Sequence, residues 1–487
     1  MKRRQFVKTG LAAVALAGAG STGLFLLDNK RLLSTAYAGE FTTSLPIPPL
    51  LENLDKTGCT AQFRMAAQVG RKTFFPGENT QTFGYNGDFL GPTIRVRNGQ
   101  RFNLQMTNDL PEVTTLHWHG LHLPAKWDGG PRQPIAPGTT WNPDFTIKQQ
   151  AATLWYHPHA MGKTGEQVYH GLAGLFLIED DVSDRLNIPR TYGIDDIPVV
   201  IQDRRFFSDG QFAYVQTMHE VMNGVIGNYM LVNGAMAPTL QAENQRIRLR
   251  LLNGSNSSIY KISFSGHPFQ MIASDGGFLE RPVSMTSVLL SAGERAEVVL
   301  DLSSLGGETL AMLVDLQGGD RFEAMQIVIA KTLQSTSSLP QTLQKIERIP
   351  ESEADNTRRF VMQTMGMGMG MMGGGRLTIN GKKMDINRID EKVRLGTTEI
   401  WEITNEAAMM MSMPHSMHLH DVQFQILDLD GRRPPEHELG WKDTVLIQPG
   451  GTVRIITRFH DYKGVYMYHC HLLEHEDDGM MGQFEVV

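Results

Sequence analysis

Tyr85-Asn86-Gly87 returns as Val232-Asn233-Gly234 and again as Ile379-Asn380-Gly381. The asparagines are evenly spaced (233 − 86 = 380 − 233 = 147). Asn-Gly is a turn signal. Each copy runs on through a strand-like stretch to a second asparagine, Asn108, Asn253 and Asn405. In the first copy Ile94, Val96, Phe102, Leu104 and Met106 alternate with polar residues. In the second, Ile247, Leu249 and Leu251 alternate with Arg246, Arg248 and Arg250. Such alternation belongs to strands with one face buried. The third copy is less regular, and long amphipathic helical patterns are scarce. The reading is an all-β chain of three consecutive Greek-key β-sandwiches.

Length agrees with three domains. The chain has 487 residues, and its start reads as an address. Lys2-Arg3-Arg4-Gln5-Phe6-Val7-Lys8 is a twin-arginine opening, Gly10 to Leu27 is a Gly/Ala-rich apolar run, and Ala36-Tyr37-Ala38 offers a cleavage site. The alternative, an uncleaved membrane anchor, is disfavoured because the run is short and weakly hydrophobic for a bilayer about 30 Å thick. A twin-arginine signal predicts export, to the periplasm or its equivalent, of already folded protein. The expected division is 1–38 signal, 39–185 first domain, 186–345 second and 346–487 third. No membrane span is expected in the mature chain. Residues 1–38 carry six Lys/Arg and one Asp, so removing them changes the net charge from −7 to −12 (−7 − 5). An acidic chain without a basic block is a poor nucleic-acid partner. The two cysteines, Cys59 and Cys470, allow at most one disulfide. Cys470 has another use, and Cys59 reads as a small buried or loop residue without function.

Ten of the 16 histidines fall in four clusters: His117-x-His119, His157-x-His159, His415-x-x-His418-x-His420 and His469-Cys470-His471-x-x-x-His475. On a strand, His-x-His points both rings to one face. The six scattered ones (His122, His170, His219, His267, His437, His460) read as surface or hydrogen-bonded residues, with His122 set apart by its place beside a cluster. Imidazole suits copper, zinc and iron. Cys470 narrows the choice: with His415, His475 and a weak axial Met480 it makes the donor set of a blue-copper site. A structural zinc site closes with four Cys/His ligands and more sulfur. The ends of copies one and three match, Tyr156-His157-Pro158-His159 with Tyr468-His469-Cys470-His471, whereas copy two has Tyr260 and Ile262 there. The middle domain therefore reads as a spacer and packing partner.

With all four motifs present, the chain resembles the three-domain multicopper oxidases, which include laccases, ferroxidases and bacterial cuprous oxidases. It is most similar in look to the periplasmic copper-tolerance oxidases. The likeness runs over nearly the whole mature chain, including Gly440-Trp441-Lys442-Asp443-Thr444-Val445 and the stretch His469 to Met480. The resemblance implies cupredoxin-like domains and four copper ions. His415, Cys470, His475 and Met480 would hold the type 1 ion, and His117 and His418 the type 2 ion. His119, His157 and His471 would hold one type 3 ion, and His159, His420 and His469 the other. It implies roles near the cluster for Asp128, in Trp127-Asp128-Gly129-Gly130, and for Glu476: proton delivery and hydrogen bonding to ligands. The family usually has Pro-x between the first two histidines of the third motif and commonly Gly after its last. Here Ser416-Met417 and Asp421 stand there, with the ligand spacing kept.

The implied reaction takes one electron at a time from a reductant and gives four to dioxygen. Met362, Met365, Met367, Met369, Met371 and Met372 crowd a Gly-rich insertion, 362–375, and Met409, Met410, Met411, Met413 and Met417 crowd the third motif. Thioether sulfur is soft and suits Cu(I). The leading expectation is therefore a cuprous oxidase acting in copper tolerance, with the six methionines of the insertion collecting Cu(I). A laccase acting on phenols, a ferroxidase acting on Fe(II), and a non-enzymatic copper-sequestering protein are the alternatives. The complete ligand set argues against the last.

Overall fold

The computed structural model describes residues 40–317, 319–364, 377–406 and 413–487. The twin-arginine segment, Met365 to Met372 and Met409 to Met411 lie outside them. The described residues form three β-sandwiches in chain order. The first pairs a sheet of Ile94–Arg97, Gly174–Glu179, Ala152–His157 and His117–His119 with one built on Thr60–Lys72 and Arg101–Asn108. The middle one has seven- and six-stranded sheets, and the third has two five-stranded sheets. Strand Thr43–Ser44 pairs in parallel with Pro238–Asn244 and so belongs to a sheet of the middle sandwich. Among the described residues no helix is long and apolar enough to cross a membrane.

The repeated asparagines do the same work three times. Asn86, Asn233 and Asn380 sit at φ 53°, 50° and 52°, left-handed backbone that asparagine tolerates. Their Oδ1 atoms accept the N–H of Ala66, Val200 and Val361 at 2.8, 2.8 and 2.7 Å. Their Nδ2 atoms donate to the carbonyls two residues earlier, of Arg64, Pro198 and Arg359. Each side chain thus stands in for a strand neighbour. The second set, Asn108, Asn253 and Asn405, each donates from Nδ2 to two carbonyls that close the sandwich.

The alternation of Arg101–Asn108 has its plain meaning, with Phe102, Leu104 and Met106 in the core. In Arg246–Asn253 the polar side is buried too. Arg250 reaches Asp196 at 2.7 and 2.8 Å and Thr153 of the first sandwich at 2.7 Å, and Arg248 pairs with Glu297. That face is an interface between sandwiches, and its charges are matched as burial demands.

Met362 corrects the sequence reading. It is fully buried on strand Asn356–Thr364, paired with Ile379 and packed in the third sandwich's core. It is filler rather than a copper collector. Met417 is likewise buried on the ligand strand. Cys59 is exposed in the loop before Thr60–Lys72.

Candidate metal centre

All twelve expected donors are buried, none above 1% exposure. Pairing explains why they meet. His117 lies opposite His157 across an antiparallel pair, and His418 opposite His469. The two strand pairs come from sandwiches one and three and face each other across the domain boundary. The rings of His117 and His420 stack at 3.8 Å, and those of His119 and His418 at 3.7 Å.

Most of the rings are held by one nitrogen, which leaves the other for a ligand. His117 Nδ1 donates to the Asp128 carbonyl at 2.9 Å and His418 Nδ1 to the Asp443 carbonyl at 2.8 Å. Their Nε2 atoms have no hydrogen-bond partner among the described residues, nor do His119 Nδ1, His157 Nε2 or either nitrogen of His471. The Nε2 atoms of His159 and His420 each lie 3.2 Å from His469 Nε2. Burial pushes the imidazoles of His119, His157, His159, His418, His420 and His471 well below their ordinary value, and neighbouring rings push the same way. Converging nitrogens, several of them without a partner among the described residues, have the form of metal ligands. Their metal-sized groups include His159/His420/His469 and, overlapping, His117/His119/His157 and His117/His418/His420.

A second group lies beside the first. Cys470 Sγ is 3.4 Å from His415 Nδ1 and 3.6 Å from His475 Nδ1. Burial raises the Cys470 thiol to about 12, so it would be protonated until a cation takes the proton's place. The remaining ring nitrogens are tied: His415 Nε2 to Thr364 Oγ1 at 3.1 Å, and His475 Nε2 to the Met222 carbonyl at 3.1 Å. Met480 is buried in the same core, its N–H bonded to the His475 carbonyl and its carbonyl to the Cys470 N–H.

Both expected carboxylates touch ligand rings. Asp128 Oδ2 is 2.8 Å from His420 Nδ1, and burial pushes this carboxyl up to about 6. Glu476 sets Oε1 3.1 Å from His159 Nδ1 and Oε2 3.2 Å from His469 Nδ1.

Sequence reasoning missed the middle sandwich's part. Besides Met222 on helix Met218–Asn223, it supplies Arg295, whose guanidinium holds Asp443 at 2.7 and 2.6 Å. Asp443 Oδ1 in turn is 3.0 Å from His119 Nε2. Gly293, at φ +88°, lies so near His471 that a Cβ would come within 2.9 Å of its ring. The middle sandwich carries no ligand, yet it orients ligands at both groups and is more than a spacer.

Three family models, each described as multicopper oxidase, match residues 67–183, 202–325 and 351–487. The chain belongs to the multicopper oxidase family. It is 39% identical to a multicopper oxidase of Staphylococcus haemolyticus over 94% of this chain and 95% of that one. It is 34% identical to the cell division protein FtsP of Escherichia coli over 100% and 99%. Its fold matches a laccase-like multicopper oxidase, CueO, from Ochrobactrum sp., described with oxidase activity towards lignin model compounds, at TM-score 0.84 and 37% identity over 91% and 100% of the chains. The chain is therefore an oxidoreductase with copper as its cofactor and dioxygen and a reductant as substrates, built from three cupredoxin-like domains.

Proposed function

We propose that the chain oxidises Cu(I) at a type 1 copper held by His415, Cys470, His475 and Met480. The other eight histidines would hold three further coppers, which when bound would supply the reduction of dioxygen. His117 and His418 take the type 2 ion, His119, His157 and His471 one type 3 ion, and His159, His420 and His469 the other. Bound copper supplies the one-electron steps and the site of dioxygen reduction. The polypeptide supplies the wire, since Cys470 is covalently flanked by His469 and His471. Asp128 Oδ2 and the Glu476 oxygens, against His420, His159 and His469, stand where protons would be passed toward the forming water. Export through the twin-arginine segment and a role in copper tolerance belong to the same proposal.

One observation carries Cu(I) as the reductant: described residues that flank both methionine-rich stretches lie close to His415 in space or in sequence. The first leaves the chain after Thr364, whose hydroxyl meets His415 Nε2, and returns at Leu377, paired with Thr364. In the second, Met413 lies two residues before His415. A laccase reading draws on the Ochrobactrum protein's described activity. Steady-state oxidation of Cu(I), Fe(II) and a phenol should be compared in wild type and in a variant with Met365, Met367, Met369, Met371 and Met372 replaced by leucine. Loss of sulfur should raise KM for Cu(I) and spare the phenol. Unchanged Cu(I) kinetics would leave the laccase reading standing.

A further inference from the structure

Outside both ligand groups, His122 and His460 line a cavity of about 310 Å³ between the first and third sandwiches, with Asp461 beside them. His122 is 7% exposed, and its Nδ1 lies 2.8 Å from Asp421 Oδ1. With Nδ1 engaged there, Nε2 faces Asp461 Oδ2 at 3.4 Å. The same oxygen lies 3.5 Å from His460 Nδ1, and the His122 and His460 rings are 4.7 Å apart. The His122–Asp461 contact is a hydrogen bond at the long end of the range, and the His460–Asp461 contact lies beyond the usual distance. They suit donor atoms sharing one cation, since ligands at about 2.0–2.1 Å in a tetrahedral arrangement lie roughly 3.3 Å from one another. Both aspartates have left-handed backbones, φ 69° at Asp421 and 65° at Asp461. Such conformations are uncommon outside glycine and cluster where a site needs them.

The geometry points to a divalent-cation site formed by His122 Nε2, His460 Nδ1 and Asp461, with Asp421 orienting His122. A carboxylate fixing the far nitrogen of a ligating imidazole is the usual support for such a ligand. Two imidazoles and a carboxylate select a first-row divalent ion, Cu(II) ahead of Zn(II). Lys148 Nζ, 3.5 Å from Asp461, is the positive charge such an ion must displace. Arg458, which also lines the cavity, is committed to Glu347 and Glu353 at 3.1 and 2.8 Å. A bound ion would clasp the two sandwiches whose boundary carries the redox centre. The site uses none of the redox ligands and is independent of which reductant the enzyme takes.

Zn(II) is the direct probe, because in copper-loaded protein it is counted separately from the resident metal. Wild type should retain one zinc per chain by elemental analysis and calorimetry. His460→Ala and Asp461→Asn should weaken it roughly tenfold or more while the blue absorption stays as in wild type. Lys148→Met should tighten it. Added Cu(II) should displace the zinc and give a further paramagnetic signal with nitrogen coupling. Wild type holding no more zinc than Asp461→Asn, or His460→Ala binding with wild-type affinity, would overturn the assignment.

Discussion

Replacing Asp443 by asparagine removes half of a fully buried ion pair and should cost about 3 kcal/mol. Arg295 is 1% exposed and donates to both Asp443 oxygens, at 2.7 and 2.6 Å. Hydrogen bonds to charged groups contribute about 1.5–3 kcal/mol each, and breaking a buried pair costs about 3–5 kcal/mol. The lower end applies because the Asp275 carboxylate remains 3.6 Å from the guanidinium. Arg295→Met should also be costly, since it strands Asp443 and frees the carbonyls of Thr153, Gly293 and Asp275. The double variant should cost less than the sum by about 2–3 kcal/mol, because neither charge is then left alone. The assay is urea unfolding of the four metal-free proteins, followed by circular dichroism. Additivity within about 0.5 kcal/mol would refute a single buried unit. Copper gives a second readout. Asp443→Asn should lower the copper affinity of the histidine centre roughly 10–100-fold, because the carboxylate no longer orients His119.

Cys470→Ser should abolish both the blue colour and turnover while the far-ultraviolet spectrum persists; a blue variant would remove the type 1 assignment. Glu476→Gln should leave reduction of the type 1 copper by substrate intact and slow reoxidation by dioxygen roughly 10²-fold or more, as followed by stopped flow. Asp128, with its carboxyl raised from 3.8 to about 6 by burial, stays protonated in the folded metal-free protein where the unfolded chain has released its proton. Its contribution to stability is present in acid and lost as pH rises through about 6, about 3 kcal/mol in all. The buried histidines, held neutral, give the opposite slope, so the Asp128 contribution is read as a difference: the unfolding free energy of wild type minus that of Asp128→Asn should fall from pH 4 to 7. Met362→Ala should destabilise by about 2–5 kcal/mol as a core truncation; thermal unfolding unaffected by it would return Met362 to the copper-collecting set.

The fold was legible wherever a residue acts on its own stretch of chain. Asn86, Asn233 and Asn380 bond to a neighbouring strand in the same pattern, so their type and spacing repeat with it. The burial of Arg248 and Arg250 was not legible, because alternation tells the two faces of a strand apart but does not say what covers the polar one. Strand Thr43–Ser44 is two residues long and has no periodicity to read. For Met362 a signal existed and was outweighed. Phe360 and Met362 alternate into the core with Val361 between them, and the glycine-rich composition begins only after Thr364.

The site divides in the same way. His-x-His carries its meaning in two residues, so eight of the ten clustered histidines could be found locally, with His415 and His475 a few residues away. Arg295 and Asp443 are 148 residues apart, and neither has a pattern around it. Asp443 stood inside a stretch that resembles the family, yet one aspartate without a partner in view has no assignable role. The middle sandwich shows that the two kinds of signal are separable. It keeps both structural asparagines, Asn233 and Asn253, with their hydrogen bonds, and it keeps none of the ligands. A sandwich of this kind should therefore fold on its strands and turns without metal. The first and third, which share those asparagine bonds, should do the same. Copper then enters a site already shaped, consistent with ring nitrogens fixed by the Asp128 and Asp443 carbonyls. Metal-free protein should keep its far-ultraviolet spectrum, and adding copper should restore colour and turnover without refolding. A chain that unfolds when copper is removed would show that the ligands, rather than the repeated turns, hold the outer sandwiches together.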